Sequence, residues 1–136
     1  MSTSTSTTET ATVATRIRDR AAEMPNAVAL REKRLGVWRE VTWAAYWQTI
    51  VDVGHALLAL GVEPGDRVAI QSENRPEWLY VDLATVAIRG VTVGLYPTNP
   101  SAEVSYLLSH SGSTVLLAED QEQVDKALAV TADTPD

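Results

Sequence analysis

Tyr96 and Pro97 are the residues of this chain that we expect to line a substrate cleft. They directly follow the apolar run Val91–Leu95, which predicts a buried strand. Similar apolar runs lie before and after this one, and we expect all three to form parallel strands. The carboxyl ends of parallel strands meet at one edge of the sheet, where open α/β proteins bind ligands. A purely structural role for both residues is the alternative. That edge would collect three segments, namely Gln71–Arg75, Tyr96–Asn99 and Glu119–Asp120.

Five further side chains could take part in chemistry, and each also has a simpler interpretation. Glu119 and Asp120 follow a predicted strand, where carboxylates could hold a metal ion, but capping of the next helix by Asp120 explains the same pattern. Arg75 lies at a predicted helix start and could meet an anion, or it could be a solvated surface residue. We expect His55 in mid-helix and His110 near a helix end to be structural or solvated.

The sequence contains no recognisable phosphate-binding loop. Its seven glycines form neither GxxxxGK[ST] nor GxGxxG, the spacings that bring backbone N–H groups onto phosphates. Lys33 and Lys126 are the only lysines, and neither lies in a glycine-rich loop. Cysteine is absent, which excludes disulfides, thiol catalysis and cysteine-ligated metals. We therefore assign no catalytic, cofactor-binding or metal-binding residue within this chain.

Three short apolar runs predict a parallel sheet in the second half of the chain. The runs Arg67–Ile70, Val91–Leu95 and Thr114–Ala118 do not alternate cleanly between apolar and polar residues, which indicates strands buried on both faces. Each interval between them has the length of a helix, together with start and stop signals. This order of strands and helices is typical of an α/β fold with crossover helices.

Polar residues and prolines predict where the two crossover helices begin, and glycines predict where they end. A polar side chain accepts bonds from the N–H groups of the first turn, where proline loses nothing, and glycine tolerates the left-handed conformation after the last turn. For the first helix these residues are Ser72 or Asn74, Pro76 and Gly90; for the second they are Asn99, Pro100 and Gly112.

A long helix is predicted before the sheet, with Thr42 as its cap and Gly61 and Pro64 at its end. Apolar residues recur along it at helical spacing and predict its buried face. Core packing of Trp43 and Trp47 is favoured over an aromatic binding platform. The predicted face comprises Trp43, Trp47, Ile50, Val51, Gly54, Leu57 and Leu58.

The chain contains the runs GVEPGDRVAI, SENRPEWLYVDLA and GVTVGLYPTNPSAEVSYLLSHSGSTVLLAEDQEQVDK. Together they resemble the beginning of the adenylate-forming enzymes, most of all the long-chain fatty-acid–CoA ligases, and the resemblance covers residues 16 to 130. The runs ENRPEW, LYPTNP and EDQEQ point to that branch. The resemblance implies an opening helix at Ile17–Met24, followed by a β-hairpin of Ala27–Arg31 and Val37–Thr42 with its turn near Gly36.

By this resemblance, the whole enzyme joins a fatty acid to ATP to give acyl-adenylate and pyrophosphate, and CoA then displaces AMP. It would require ATP, Mg²⁺ and CoA. The family's Ser/Thr/Gly-rich nucleotide loop ending in lysine, its magnesium-holding glutamate, its ribose-binding aspartate and its catalytic lysine are not identifiable here. We therefore expect this chain to be an N-terminal fragment that is inactive alone and binds no cofactor by itself.

Other interpretations stay open at this point. Within the same superfamily, the acid could be aryl, short-chain or an amino acid, since those branches share the early sheet. The chain could also be a non-catalytic α/β module with a regulatory or scaffolding role. A phospho-receiver needs a lysine at a strand end, and none follows Val91–Leu95 or Thr114–Ala118, which argues against that class.

The composition limits the partners of the protein. A net charge of −7 argues against a nucleic-acid-binding surface and gives no general attraction to anionic lipid. No apolar run approaches the roughly 20 residues that span a bilayer, and the N-terminus lacks a secretory signal. We expect a cytoplasmic protein, with peripheral membrane association left open.

The chain divides into three parts in this interpretation. Residues 1–15 are predicted to be a disordered Ser/Thr-rich tail, and a transit peptide is disfavoured because they contain no arginine. Residues 16–130 would be an incomplete N-terminal part of an AMP-binding domain, ending in a helix with a capping box of Asp120 and Gln123. Residues 131–136 would be a loop at a truncated end. An incomplete sheet would expose an edge and favour self-association.

Overall fold

A computed structural model describes residues 11–130 of the chain. Over these residues it confirms the predicted α/β class, with a parallel sheet, crossover helices and an N-terminal hairpin. In that range, no helix is both long and apolar enough to cross a bilayer. The elements in chain order are α1 (Val13–Glu23), β1 (Val28–Arg34), β2 (Val37–Thr42), α2 (Trp43–Ala59), β3 (Arg67–Gln71), α3 (Pro76–Ala87), β4 (Val91–Leu95), α4 (Ser101–Ser111), β5 (Ser113–Ala118) and α5 (Gln121–Leu128).

The parallel sheet has β3 at its centre, with β4 on one side and β5 on the other. Val68 of β3 is level with Thr92 of β4 and with Val115 of β5, and all three strands point the same way. Their carboxyl ends therefore meet at one edge. The strands β1 and β2 form a separate antiparallel hairpin.

Both faces of β3 are buried, which explains its lack of alternation, but the predicted burial of both faces is wrong for the outer strands β4 and β5, which are only partly buried. Val68 and Ile70 face a cluster built with α2 and α3, whereas Ala69 faces a second cluster with Val104 and Leu108 of α4. These five side chains are at most 6% exposed. Since each layer of helices excludes water from one sheet face, truncation of a large core side chain would cost about 2–5 kcal/mol.

Helix α1 begins earlier than predicted, at Val13 rather than at Ile17. Thr12 caps it, because its hydroxyl accepts from the Thr15 N–H at 3.2 Å while the Thr15 hydroxyl accepts from the Thr12 N–H at 2.8 Å. The predicted disordered tail of residues 1–15 is therefore wrong for residues 13–15. Residues 1–10 of that tail, and the predicted loop 131–136, lie outside the described residues.

The cap predicted for α3 is wrong. Pro76 is the first helical residue as expected, but Arg75 occupies the cap position and makes no capping bond with its side chain. The Ser72 hydroxyl donates to the carbonyl of Glu73, so Ser72 does not cap the helix, and neither does Asn74. The first turn is instead stabilised by the acidic residue that follows Pro76.

The end of α3 also differs from the prediction. The left-handed residue is Arg89, with φ of 70°, and not Gly90. Gly90 is needed for close packing, because a Cβ there would lie 3.0 Å from Thr85 Cγ2 and 3.3 Å from the Asp66 carbonyl oxygen. Glycine is therefore needed at position 90 because the packing leaves no room for a side chain, and not because the backbone requires a positive φ.

Helix α4 begins one residue later than predicted. Pro100 occupies the cap position and Ser101 is the first helical residue. The Asn99 side chain donates to Glu103 and so does not cap the helix. The predicted end is confirmed, since Gly112 is left-handed with φ of 61°.

The long helix α2 is capped by Thr42 as predicted, with its hydroxyl 3.2 Å from the Ala45 nitrogen. The predicted face is right at its centre and wrong at two positions. Leu58 is 49% exposed, whereas Tyr46, which the pattern omitted, is 5% exposed. The reason is that Tyr46 packs on Tyr80 of α3, with ring centroids 5.6 Å apart. Trp43 and Trp47 pack partly buried against the same cluster, as expected.

Candidate functional site

The carboxyl ends of β3, β4 and β5 bring together the three segments that the sequence predicted to share one edge. We call residues 71–75, 96–99 and 119–120 the carboxyl edge. The Glu119 N–H donates to the Gln71 carbonyl at 3.0 Å, which extends the pairing of β3 with β5. On the other side, the Gln71 side-chain amide donates to the Tyr96 carbonyl at 3.3 Å. Gln71 therefore links both neighbouring strand ends.

Arg75 forms the main ionic contact of this edge. Its Nη1 donates to Glu119 Oε1 at 3.0 Å, and its Nε and Nη2 donate to the two carboxylate oxygens of Glu77 at 2.7 and 3.2 Å. The Arg75 side chain is only 31% exposed. The simpler interpretation of Arg75 as a solvated surface residue is therefore wrong, because two carboxylates hold it.

Both oxygens of Glu119 are occupied by donors from the protein. Oε1 accepts from Arg75, and Oε2 accepts from the backbone N–H of Glu73 at 2.7 Å. Within the described part of the chain, no group of three or more His, Asp or Glu side chains is arranged to hold a metal ion. Glu119 thus connects the end of β5 to the loop after β3 and to the start of α3.

The hydrogen bonds between Arg75 and Glu77 favour the charged form of both side chains. The hydrogen bond to Glu77 raises the pKa of Arg75 above its ordinary value, and the bonds and charge of Glu119 add to this effect. The same hydrogen bond lowers the pKa of Glu77 below its usual range. Because a carboxylate bound to a guanidinium prefers its ionised form, the pair persists at neutral pH.

Tyr96 and Pro97 line a cleft of about 310 Å³ between the loop after β3 and the end of β4. Tyr96 is 77% exposed, so its ring stands at the opening of the cleft. Gly94 also lines the cleft, and a Cβ there would lie 3.5 Å from the Trp78 ring. The structure places both predicted residues on one cleft wall; their contact with a substrate stays a prediction. The other lining residues are Ser72, Glu73, Asn74, Trp78 and Leu95.

Trp78 also lines a second cleft of about 180 Å³, and a third of about 510 Å³ between the hairpin and the start of α3. The second cleft has an apolar floor and a charged rim made by Arg75, Glu77 and Glu119. Trp78 was predicted only as a packing residue, and it does pack against the larger core cluster. Its place in the lining of three clefts depends on how α3 packs against elements that are distant in sequence, which local sequence does not show.

Gln71 is a residue of the edge that sequence reasoning gave no role. Its side chain is fully buried, and its Oε1 atom has no hydrogen-bond partner among the described residues. A buried amide oxygen without a partner costs about 1–3 kcal/mol, so its position between the strand ends marks it as part of the candidate site. The sequence feature that could have indicated this role is that a polar residue directly follows the predicted strand ending at Ile70.

Helix α5 is tied to the carboxyl edge by Lys126. Its Nζ donates to the Pro97 carbonyl at 2.7 Å and pairs with Glu122 at 2.9 Å. Asp120 caps this helix, with Oδ1 3.1 Å from the Gln123 nitrogen, which supports the capping interpretation over a metal ligand. The Gln123 side chain accepts from Lys126 instead of completing the predicted capping box.

The two histidines lie away from the carboxyl edge. His55 is exposed on α2, as expected for a solvated residue. His110 is exposed near the end of α4 and stacks on Tyr106, with ring centroids 5.4 Å apart and planes inclined by 12°. Neither histidine lines the cleft that contains Tyr96.

Comparison with known proteins agrees with this geometry. Residues 17–136 match the family described as AMP-binding enzyme. The chain is 36% identical over 100 residues to the long-chain-fatty-acid–CoA ligase FadD15 of Mycobacterium bovis, covering 74% of this chain and 17% of that protein. It is 38% identical over 95 residues to fatty acyl-CoA synthetase A of Dictyostelium discoideum, covering 68% of this chain and 14% of that protein.

Solved structures show the same arrangement of elements. The N-terminal domain of FACL13 from Mycobacterium tuberculosis superposes with a TM-score of 0.79 at 28% identity, over 88% of this chain and 29% of that one. The anthranilate CoA ligase AuaEII, in complex with anthranoyl-AMP, shares the fold with a TM-score of 0.81 at 23% identity, over 90% and 23% of the two chains.

The chain spans only a small part of these relatives, 17% and 14% of the length of the two curated ligases. Within that part, the family match includes every strand of the parallel sheet and the whole carboxyl edge. The recognition made from the sequence is thereby confirmed, and this chain belongs to the AMP-binding enzyme family.

Proposed function

We propose that this chain is the N-terminal part of an ATP-dependent acyl-CoA ligase whose acid substrate is a long-chain fatty acid. The supporting observation is the identity of 36% and 38% to two relatives named as long-chain and fatty acyl-CoA ligases. In that reaction the fatty acid carboxylate attacks the α-phosphate of ATP and expels pyrophosphate. The CoA thiol then attacks the acyl-adenylate carbonyl, so that a thioester forms and AMP leaves. Mg²⁺ would accompany ATP in the whole enzyme.

The charged side chains of the carboxyl edge support the proposal that this segment is part of the scaffold of the active site and does not supply its cations. Acid activation needs cations that neutralise the charge developing on the phosphates. Arg75 is already held by two carboxylates, and Lys126 is held by a backbone carbonyl and by Glu122. We propose that the nucleotide loop, the metal-holding carboxylate and the catalytic lysine are supplied by residues outside this chain, which is then inactive alone.

Tyr96 and Pro97 are proposed to form part of the wall along which the acid substrate lies. The exposed Tyr96 ring and the cleft of about 310 Å³ beneath it support this role, as does their place at the carboxyl end of a parallel strand. A cytoplasmic location fits the supply of ATP and CoA that the reaction needs.

The first test is to read the coding DNA beyond Asp136 in all frames. A Ser/Thr/Gly-rich loop ending in lysine is expected downstream, and the complete product should form palmitoyl-CoA from palmitate, ATP and CoA. A true stop followed by unrelated sequence would overturn the proposed ligase and favour a non-catalytic module. A complete product that prefers anthranilate to palmitate would replace the fatty acid by an aryl acid, as in the second solved relative.

The second test measures ATP-dependent formation of acyl-hydroxamate by the purified 136-residue chain. With palmitate, Mg²⁺ and hydroxylamine, we expect no product above a heat-denatured control. Product formation by the chain itself would refute the proposed inactivity, because it would require a nucleotide site within these residues.

A further inference from the structure

The tip of the β1–β2 hairpin exposes three large apolar side chains around its turn. Leu35 is 93% exposed, Val37 is 63% exposed and Trp38 is 62% exposed. Arg34 pairs with Val37 and Lys33 pairs with Trp38, so these residues form one end of a single hairpin. We call residues 33–39 the hairpin tip. Because adjacent strand residues point to opposite faces, Val37 and Trp38 extend the apolar surface to both sides of the turn.

The turn itself does not explain why leucine occupies its first position. Leu35 has φ of 50° and Gly36 has φ of 79°, and a two-residue hairpin loop with both angles positive is a type I′ turn. Such a turn favours asparagine or aspartate before glycine, because other side chains are strained in the left-handed region. Leu35 therefore gains nothing from its backbone conformation and nothing from core packing.

The tip also carries positive charge on a chain of net charge −7. The residues from Val28 to Thr42 contain four cations (Arg31, Lys33, Arg34 and Arg39) and two carboxylates (Glu32 and Glu40). One of these cations is neutralised further from the tip, where Arg31 pairs with Glu40 at 3.0 Å. Nearer the turn, Lys33 Nζ lies 5.9 Å from the centre of the Trp38 ring. Arg39 lies opposite Glu32 across the hairpin, and the charge of Arg34 also acts on Glu77 of α3. The cations Lys33, Arg34 and Arg39 still outnumber these two carboxylates around the apolar residues.

We propose that the hairpin tip docks on the surface of an anionic lipid bilayer. Leu35 enters the boundary between headgroups and acyl chains, and Trp38 lies at headgroup depth, where its amphipathic ring is favoured. The three cations of the tip bind anionic headgroups, whose surface potential attracts basic segments. The rest of the chain is acidic and is repelled by the same surface. The local charge therefore orients the protein, with the turn towards the lipid.

The test uses the full 136-residue chain and vesicles of phosphatidylcholine with or without phosphatidylserine. We expect cosedimentation with vesicles that contain about one-third phosphatidylserine, and loss of most of that binding as salt is raised from about 0.1 to 0.5 M. Lys33→Gln/Arg39→Gln should weaken binding about tenfold. Trp38 emission, taken as the difference between wild type and Trp38→Phe, should shift to shorter wavelength on the vesicles.

The Leu35→Asn variant distinguishes lipid binding from folding stability, because we expect it to raise the melting temperature while it weakens vesicle binding. Asn-Gly is the preferred type I′ sequence, so the variant should melt at a higher temperature than wild type. It should nevertheless bind anionic vesicles about tenfold more weakly, since the apolar side chain at the tip is lost. Leu60→Asn removes another leucine that is 68% exposed, at the end of α2, and should leave vesicle binding unchanged.

Several outcomes would overturn the proposal. Equal binding of wild type and Leu35→Asn would show that the tip does not enter the bilayer, and equal binding to vesicles without phosphatidylserine would remove the role of the cations. If wild type dimerises without lipid and Leu35→Asn does not, the tip is a protein interface instead. None of these measurements requires ATP, CoA or catalysis, so they are independent of the proposed ligase activity.

Discussion

Arg75 Nη1 lies 3.0 Å from Glu119 Oε1, across 44 residues of sequence. This contact joins the start of α3 to the end of β5, on either side of the carboxyl end of β3. Arg75 also holds Glu77 in the first turn of α3. The contact therefore helps to fix the position of a helix start relative to the sheet edge at which the candidate site lies.

We expect Arg75→Ala to destabilise the chain by about 1–3 kcal/mol, because it leaves the half-buried Glu119 carboxylate with one donor fewer. Arg31→Ala is the matched control, since Arg31 pairs with Glu40 at the same 3.0 Å but on the exposed hairpin, with side chains 63% and 52% exposed. That pair should contribute less than about 1 kcal/mol. Urea unfolding would measure both; similar losses would contradict a special role for Arg75.

Because Tyr46 is buried, we expect the protein to lose stability at alkaline pH. Burial raises its pKa from 10.0 to about 12, and the charges of Tyr80 and Asp82 add to the effect. The folded state thus favours the neutral phenol. The contribution of this preference to the free energy of unfolding is fully present below pH 10. It is lost as the pH rises to about 12, a loss of up to about 3 kcal/mol. Tyr46→Phe should reduce the difference in unfolding free energy between pH 8 and pH 11. An identical pH profile would show that Tyr46 is not the group responsible.

Gly90→Ala should destabilise the chain by about 1–3 kcal/mol through overpacking. The added methyl group would lie 3.0 Å from Thr85 Cγ2 and 3.2 Å from the Thr85 carbonyl oxygen, both on the helix that Gly90 follows. Gly94→Ala is the control, because its methyl group would meet only the Trp78 ring, at an ordinary 3.5 Å. Thermal melts of the two variants should differ clearly, and equal melting temperatures would count against the packing argument.

Self-association through the sheet edges is a further prediction. The outer strands β4 and β5 each have one neighbour in the described sheet, and Val91 on β4 is 49% exposed. Unpaired edges of this kind invite strand pairing between molecules, and a lysine on the edge discourages it. Sedimentation velocity should show oligomers whose fraction rises with concentration, and Val91→Lys should reduce that fraction. A monomer over the whole concentration range, with a cooperative melt, would contradict the prediction.

Local patterns in the sequence determined the order of the elements and several of their ends. Thr42 caps α2, Gly112 ends α4 in the left-handed conformation, and Asp120 caps α5, all as predicted. Such caps depend on bonds to backbone groups within a few residues, so residue type predicted these three, although it failed at the starts of α3 and α4. Burial on both faces was predictable for the central strand β3, since a strand covered on both sides needs an uninterrupted apolar run. The same prediction was wrong for β4 and β5, which lie at the edges of the described sheet and are buried only at single residues.

The tertiary structure decided what depends on distant contacts. Arg75 was expected to be a surface arginine until the fold placed it beside Glu119, and Gln71 acquired its role only when β4 delivered the Tyr96 carbonyl to its amide. Tyr46 is buried because α3 brings Tyr80 against it. No local pattern encodes these pairs, because their energy depends on the packing of elements that are far apart in sequence. The sequence determined which residues reach the carboxyl edge, and the packing decided which of them contact one another.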